Sequence, residues 1–247
     1  MNKVNEKVRF FTAPDMRGHG LSGKPVARYT SQEMAEDMIE LLNLLNINSA
    51  IVVGHSMGGR VAGHLAAHYP GRFRAAAIID ISARGPATPS SLLPEEIPNV
   101  DPFTKDWPLP FSSLPEAMQF IRNKTASEYW YLQSISGLTE TTEGYRLMHS
   151  PQAMSANTAY DTAWFDLLPN IQCPVLLIRA KDSMWLPEED FKKMSSLIPT
   201  CCSYELSDTD HYVYLANTKE FYECMNELLE VTVEVQFDYG PLWYMME

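Results

Sequence analysis

The chain has 247 residues, 45% of them hydrophobic, and a formal net charge of −12. That length supports one sizeable core with room for a small inserted domain. The acidic balance, with no basic run, argues against nucleic acid or an anionic membrane surface as partner, and no apolar stretch approaches the length of a membrane span.

Residues 8–13 read as a short strand ending in Pro14-Asp15, followed by the glycine-rich loop Arg17-Gly18-His19-Gly20. Thr30 and Glu33 form a capping box. Met34, Met38, Leu41, Leu42 and Leu45 then recur at helical spacing. Residues 50–53 form a strand, residues 60–69 a helix stopped by Pro70-Gly71, and residues 75–79 a strand ending at Asp80. Residues 176–178 and 203–206 give two more strands, and residues 218–229 a last helix. Strands alternating with helices indicate a parallel sheet covered on both faces. Residues 84–170 interrupt this pattern. Their first part is proline-rich and irregular, and helices are expected at 115–123 and 127–136. The expected domains are therefore a core of 1–83 and 171–247 and an insert of 84–170.

The N-terminus, Met1 to Lys7, is polar and carries no signal-peptide core. Cys173, Cys201, Cys202 and Cys224 show no metal-ligand spacing. Reduced thiols in the cytoplasm follow as the expectation, with no metal site and no cofactor.

The chemistry concentrates in Gly54-His55-Ser56-Met57-Gly58-Gly59, between an apolar strand and a helix. Strand, Gly-x-Ser-x-Gly, helix is the arrangement of a nucleophile elbow. Its backbone conformations are expected to exclude side chains at Gly54 and Gly58. Ser56 would stand at the strand tip, and the Met57 N–H would face an oxyanion formed there. Serine needs a base. Of six histidines, His211 alone follows a strand on the same sheet edge, so it is the expected base.

These motifs together resemble the α/β-hydrolase-fold family of esterase-like serine hydrolases with a helical cap. Asp15-Met16-Arg17-Gly18-His19-Gly20-Leu21-Ser22 resembles the loop after that family's fourth strand. Gly54 to Gly59 resembles its elbow, residues 173–178 its seventh strand, and Asp210-His211 its histidine loop. The resemblance implies a mostly parallel sheet flanked by helices, with residues 84–170 as a cap. It also implies a carboxylate to hold the base. Asp182 follows the seventh strand but sits one position before the usual acid, which would be Ser183. Asp80, at the tip of the sixth strand, is the alternative and the preferred one.

Only fourteen residues precede Asp15, where relatives have about three strands and a second oxyanion loop. The resemblance thus implies an N-terminally shortened sheet. Losing one oxyanion donor costs on the order of a hundred- to a thousand-fold in rate. Residues 231–237 alternate apolar and polar, with Val231, Val233, Val235 and Phe237 on one face. They are expected to add a β-strand, within the sheet or across a homodimer.

The function expected from these readings is cleavage of a small ester, amide or related carbonyl compound by Ser56, His211 and Asp80 or Asp182. His55, Trp130, Tyr131 and Trp164 are expected to line an apolar substrate pocket. The alternatives are a weak or inactive member that binds a ligand or partner through the same pocket, and a carbon–carbon hydrolase or lyase using the same serine.

Overall fold

The computed structural model describes residues 11–85 and 88–234, and the side chains of that range up to residue 230. Its centre is a four-stranded parallel sheet in the order β1-β2-β5-β6. The strands are β1 (Ala50–His55), β2 (Phe73–Ile79), β5 (Val175–Ala180) and β6 (Cys201–Leu206). β3 (Leu138–Thr141) and β4 (Gly144–Leu147) form a separate antiparallel pair in the insert. The helices are α1 (Ser31–Leu44), α2 (Met57–His68), α3 (Leu114–Lys124), α4 (Glu128–Ser136), α5 (Pro151–Tyr160), α6 (Glu188–Leu197), α7 (Val213–Ala216) and α8 (Thr218–Glu234).

The strands are buried on both faces because their side chains alternate. Ala76, Ile78, Val175 and Leu177 pack on one side with Ala66 of α2, Met194 of α6 and Trp164. Ala75, Ala77, Ile79, Leu176 and Ile178 face the other side, against Phe221, Cys224 and Leu228 of α8. α1 starts as expected. Thr30 Oγ1 accepts the Glu33 N–H at 3.2 Å, and the Glu33 carboxylate accepts the Thr30 N–H at 3.3 Å. The apolar side of α1, Met34, Ala35 and Ile39, packs on Val61 and Leu65 of α2.

Both ends of the 84–170 segment are tied to α2 by one buried side chain. The Arg60 guanidinium donates to the carbonyls of Arg84 at 2.7 Å and Thr162 at 2.8 Å. It is also ion-paired with Asp161 at 2.8 Å. Asp161 accepts in turn from the Ser31 hydroxyl at the start of α1, at 2.6 Å.

Two expectations are corrected. The alternating segment is not a strand where it is described: α8 continues through Glu234, and residues 235–237 lie outside the described range. Extending a formed helix adds one hydrogen bond per residue fixed, without a new nucleation cost. That outweighs the β pattern over residues 231–234. In the expected first strand, residues 8–10 lie outside the described range, and residues 11–13 have no strand partner. Among the described residues β1 is therefore a sheet edge, with Val53 exposed on it.

Candidate active site

The register of the parallel strands brings three loop positions together. His55 pairs with Ile79, Ile79 with Ile178, and Ile178 with Tyr204. Ser56 and Asp80, directly after β1 and β2, and the loops that follow β5 and β6 therefore share the carboxyl edge of the sheet, where α/β folds place their sites.

Ser56 sits between β1 and α2 with φ 54° and ψ −123°, a left-handed conformation that costs a residue with a Cβ on the order of 1–3 kcal/mol. Its N–H donates to the Ile79 carbonyl at 2.9 Å, which fixes the serine beside Asp80. Gly54 is obligatory. A Cβ there would lie 1.9 Å from the Gly58 carbonyl oxygen. The expectation for Gly58 is corrected, because a Cβ at that position meets open space. The second crowded glycine is Gly59, where a Cβ would come 2.8 Å from Ile81. The backbone N–H groups of Met57 and Gly58 lie in the first turn of α2 and have no acceptor within the helix. They form the positive end of its dipole, beside the serine.

His211 and Asp80 are paired. His211 Nδ1 is 2.7 Å from Asp80 Oδ2. Asp80 is fully buried, and its Oδ1 accepts the Ala180 N–H at 2.9 Å. The other candidate acid, Asp182, is exposed and has no bond to His211. Its backbone is left-handed, with φ 55°. The residue after it, Ser183, is buried and donates to Asp80 Oδ2 at 3.0 Å. Ser56 Oγ makes no hydrogen bond among the described residues; such bonds tighten when substrate is bound.

His55 belongs to the support of this pair. Its Nε2–H donates to the His211 carbonyl at 2.8 Å, and the two rings lie 4.3 Å apart. Burial, and then the neighbouring His211, push its pKa down to about 4, so the ring is neutral at pH 7. The following residue, Tyr212, has its phenol pushed up to about 12 by burial and stays protonated. Asp210 Oδ1 accepts the Tyr212 N–H at 2.9 Å, and its Oδ2 accepts the Ser127 hydroxyl at 2.5 Å. Ser127 caps α4, so the insert is bonded directly to the residue preceding His211.

The expected pocket aromatics are mostly elsewhere. Trp164 lies in the central core against Gly63, where a Cβ would come 2.3 Å from its ring. Tyr131 packs inside the insert with Phe111, Ala117 and Ile121. Trp130 is half-buried in the first turn of α4. The aromatic group next to the histidine is Trp185, 5.1 Å from the His211 ring, with Phe103 of the insert 6.3 Å beyond it. Sequence reasoning missed both. The available signal was a tryptophan in the loop directly after β5. An apolar groove also runs between α3, α4 and α7, lined by Leu114, Met118, Leu132, Ile135, Tyr214 and Leu215. No helix among the described residues is long and apolar enough to cross a membrane.

Residues 1–218 match the family model of the alpha/beta hydrolase fold. The chain is 32% identical over 219 residues to a 2-(acetamidomethylene)succinate hydrolase of Mesorhizobium japonicum, covering 83% of this chain and 73% of that protein. A 3-oxoadipate enol-lactonase of Acinetobacter baylyi is 39% identical over 75 residues, 30% of this chain and 28% of the relative. Among solved structures, that of an E-2-(acetamidomethylene)succinate hydrolase superposes with a TM-score of 0.71 at 24% identity, over 87% of this chain and 80% of the other. The motif order, the sheet and these likenesses agree: the chain belongs to the α/β-hydrolase fold family and is a hydrolase.

Proposed function

We propose that the protein is a serine hydrolase that cleaves a small ester, amide or related carbonyl substrate through Ser56, His211 and Asp80. The observation that carries this reading is the 2.7 Å pairing of His211 Nδ1 with the buried Asp80, beside a serine in a left-handed elbow. Asp80 holds the proton on His211 Nδ1, which leaves the lone pair on Nε2 for the serine. Ser56 Oγ attacks the carbonyl carbon and Nε2 takes its proton. The Met57 N–H receives the oxyanion. As the intermediate collapses, the imidazolium returns that proton to the leaving alcohol or amine. Water then attacks the acyl-serine by the same route and releases the acid. The relative that acts on an acetamido-substituted succinate supports including amides in the substrate class. Trp185, 5.1 Å from the His211 ring, supports an acyl group with apolar surface.

The test is a fluorophosphonate probe. The reading expects labelling of the wild-type chain at Ser56, and loss of both labelling and ester turnover in Ser56→Ala. Labelling that survives in Ser56→Ala would remove the serine from the mechanism.

A further inference from the structure

Asp80 is held by more than His211. Its Oδ2 accepts two bonds, from His211 Nδ1 at 2.7 Å and from Ser183 Oγ at 3.0 Å, while Oδ1 accepts the Ala180 N–H at 2.9 Å. Ser183 is itself buried. Its Oγ also accepts the N–H groups of Trp185 and Leu186, each at 3.1 Å. A hydroxyl has one proton and two lone pairs. Two backbone donors occupy the lone pairs, so the remaining proton is directed to Asp80 Oδ2. The turn at 183–186 thus fixes the direction of this bond.

That constraint matters because of Asp80's own backbone. Its φ is 49°, so the side chain leaves the strand end from a left-handed residue and needs external donors to hold its plane. Ala180 fixes one oxygen and Ser183 the other. The oxygen that Ser183 fixes is the one facing the histidine.

We infer that Ser183 is a positioning residue: it orients the Asp80 carboxylate that holds His211. This rests on the reading of Asp80 and His211 as the acid and base of a hydrolase. Ser183 touches neither substrate nor Ser56 and acts only through Asp80. The competing account is that Ser183 merely caps the turn carrying Trp185, and that its contact with Asp80 is incidental.

A double-mutant cycle on the full chain separates the two. Wild type, Ser183→Ala, Asp80→Asn and the double variant are compared for turnover of p-nitrophenyl acetate. Ser183→Ala is expected to lower kcat about 10- to 100-fold, the size of one hydrogen bond to a charged group, with KM unchanged within about twofold. In the Asp80→Asn background the same substitution should change kcat by less than about twofold. Equal losses in both backgrounds would assign Ser183 to the turn alone and overturn the inference, as would an unchanged kcat.

Proton NMR supplies a readout independent of activity. The downfield resonance of the His211 Nδ1–H, bonded to Asp80, should shift or broaden in Ser183→Ala; an unmoved resonance would overturn the inference. Absence of any turnover or probe labelling in wild type would instead sink the hydrolase reading, and the NMR comparison would still decide Ser183. If Ser183→Ala does not fold, Ser183→Cys replaces it. A thiol is a weak donor of similar size, so an intermediate kcat and a smaller resonance shift are expected, and wild-type values in both would count against the inference.

Discussion

Two aspartates are candidates for one role, and they differ in exposure to solvent. Asp182 is exposed and lies off by one in the loop after β5. Asp80 is fully buried and accepts from His211, Ser183 and the Ala180 N–H. A buried carboxylate surrounded by donors exerts a strong field on the adjacent imidazole, whereas an exposed one is screened by water. Asp80→Asn should therefore lower kcat by about 10⁴-fold, because the amide favours the wrong histidine tautomer. Asp182→Asn should stay within about threefold of wild type, as surface substitutions usually do. Steady-state kinetics of the two variants checks this, and a reversed ranking would return the acid to the loop after β5. Asp80 was legible as the preferred candidate from the off-by-one spacing at Asp182. The donor role of Ser183 was not, because a serine in a loop sequence carries no sign of where its proton points.

At the scale of elements, the elbow shows how much of the site is backbone. Gly54 is buried at the end of β1, where a Cβ would sit 1.9 Å from the Gly58 carbonyl oxygen. Main chain cannot yield that much without breaking the strand-to-helix turn. At Gly58, the second residue of α2, a Cβ would meet open space. Gly54→Ala should therefore destabilise the fold by several kcal/mol or prevent soluble expression. Gly58→Ala should leave the melting temperature unchanged or raise it, since alanine is favoured over glycine in a helix by up to about 1 kcal/mol. Thermal denaturation of both variants checks the contrast; similar losses would mean that the turn needs both glycines. The elements with clear periodicity were legible: β1, β2, β5, β6, α1, α2, α3, α4 and the first part of α8. The β3–β4 hairpin and α6 were not anticipated, nor were α5 and α7. The first is short and has no buried residue. The second, Glu188–Leu197, has only two buried residues, Asp190 and Met194. The pocket aromatics were misread for a different reason. Composition cannot distinguish a tryptophan that fills the space above a glycine, as Trp164 does over Gly63, from one beside the histidine, as Trp185 is.

Across the whole molecule, three histidines set the response to acid: His64, which is buried, and His55 and His19, which are half-buried. His55 lies beneath the His211 loop. His64, on α2, packs against His68 at 5.6 Å and Trp164 at 5.8 Å. Neither ring nitrogen of His64 has a hydrogen-bond partner among the described residues. Burial lowers the pKa of His19 and pushes those of His55 and His64 down to about 4 from 6.5, with Asp161 offsetting only part of the effect on His64. The folded state therefore binds these protons more weakly than the unfolded chain. Stability from His55 and His64 is fully present above the unfolded value near 6.5 and is lost as pH falls through about 4. Within that window the slope approaches about 1.4 kcal/mol per pH unit for each histidine. The buried carboxylates Asp101 and Asp190 have lowered values, so they add to acid sensitivity only below the ordinary carboxylate value of 3.8. For Asp101, burial alone would raise the pKa, but the bonds from His149, Thr104 and the Phe103 N–H outweigh it. The midpoint in urea should thus fall steeply between pH 6.5 and pH 4.5, before the carboxylates titrate. His64→Leu should flatten part of that fall while leaving His55, and with it the His211 loop, undisturbed. A urea midpoint in the variant that tracks wild type across this range would show that His64 does not carry its share.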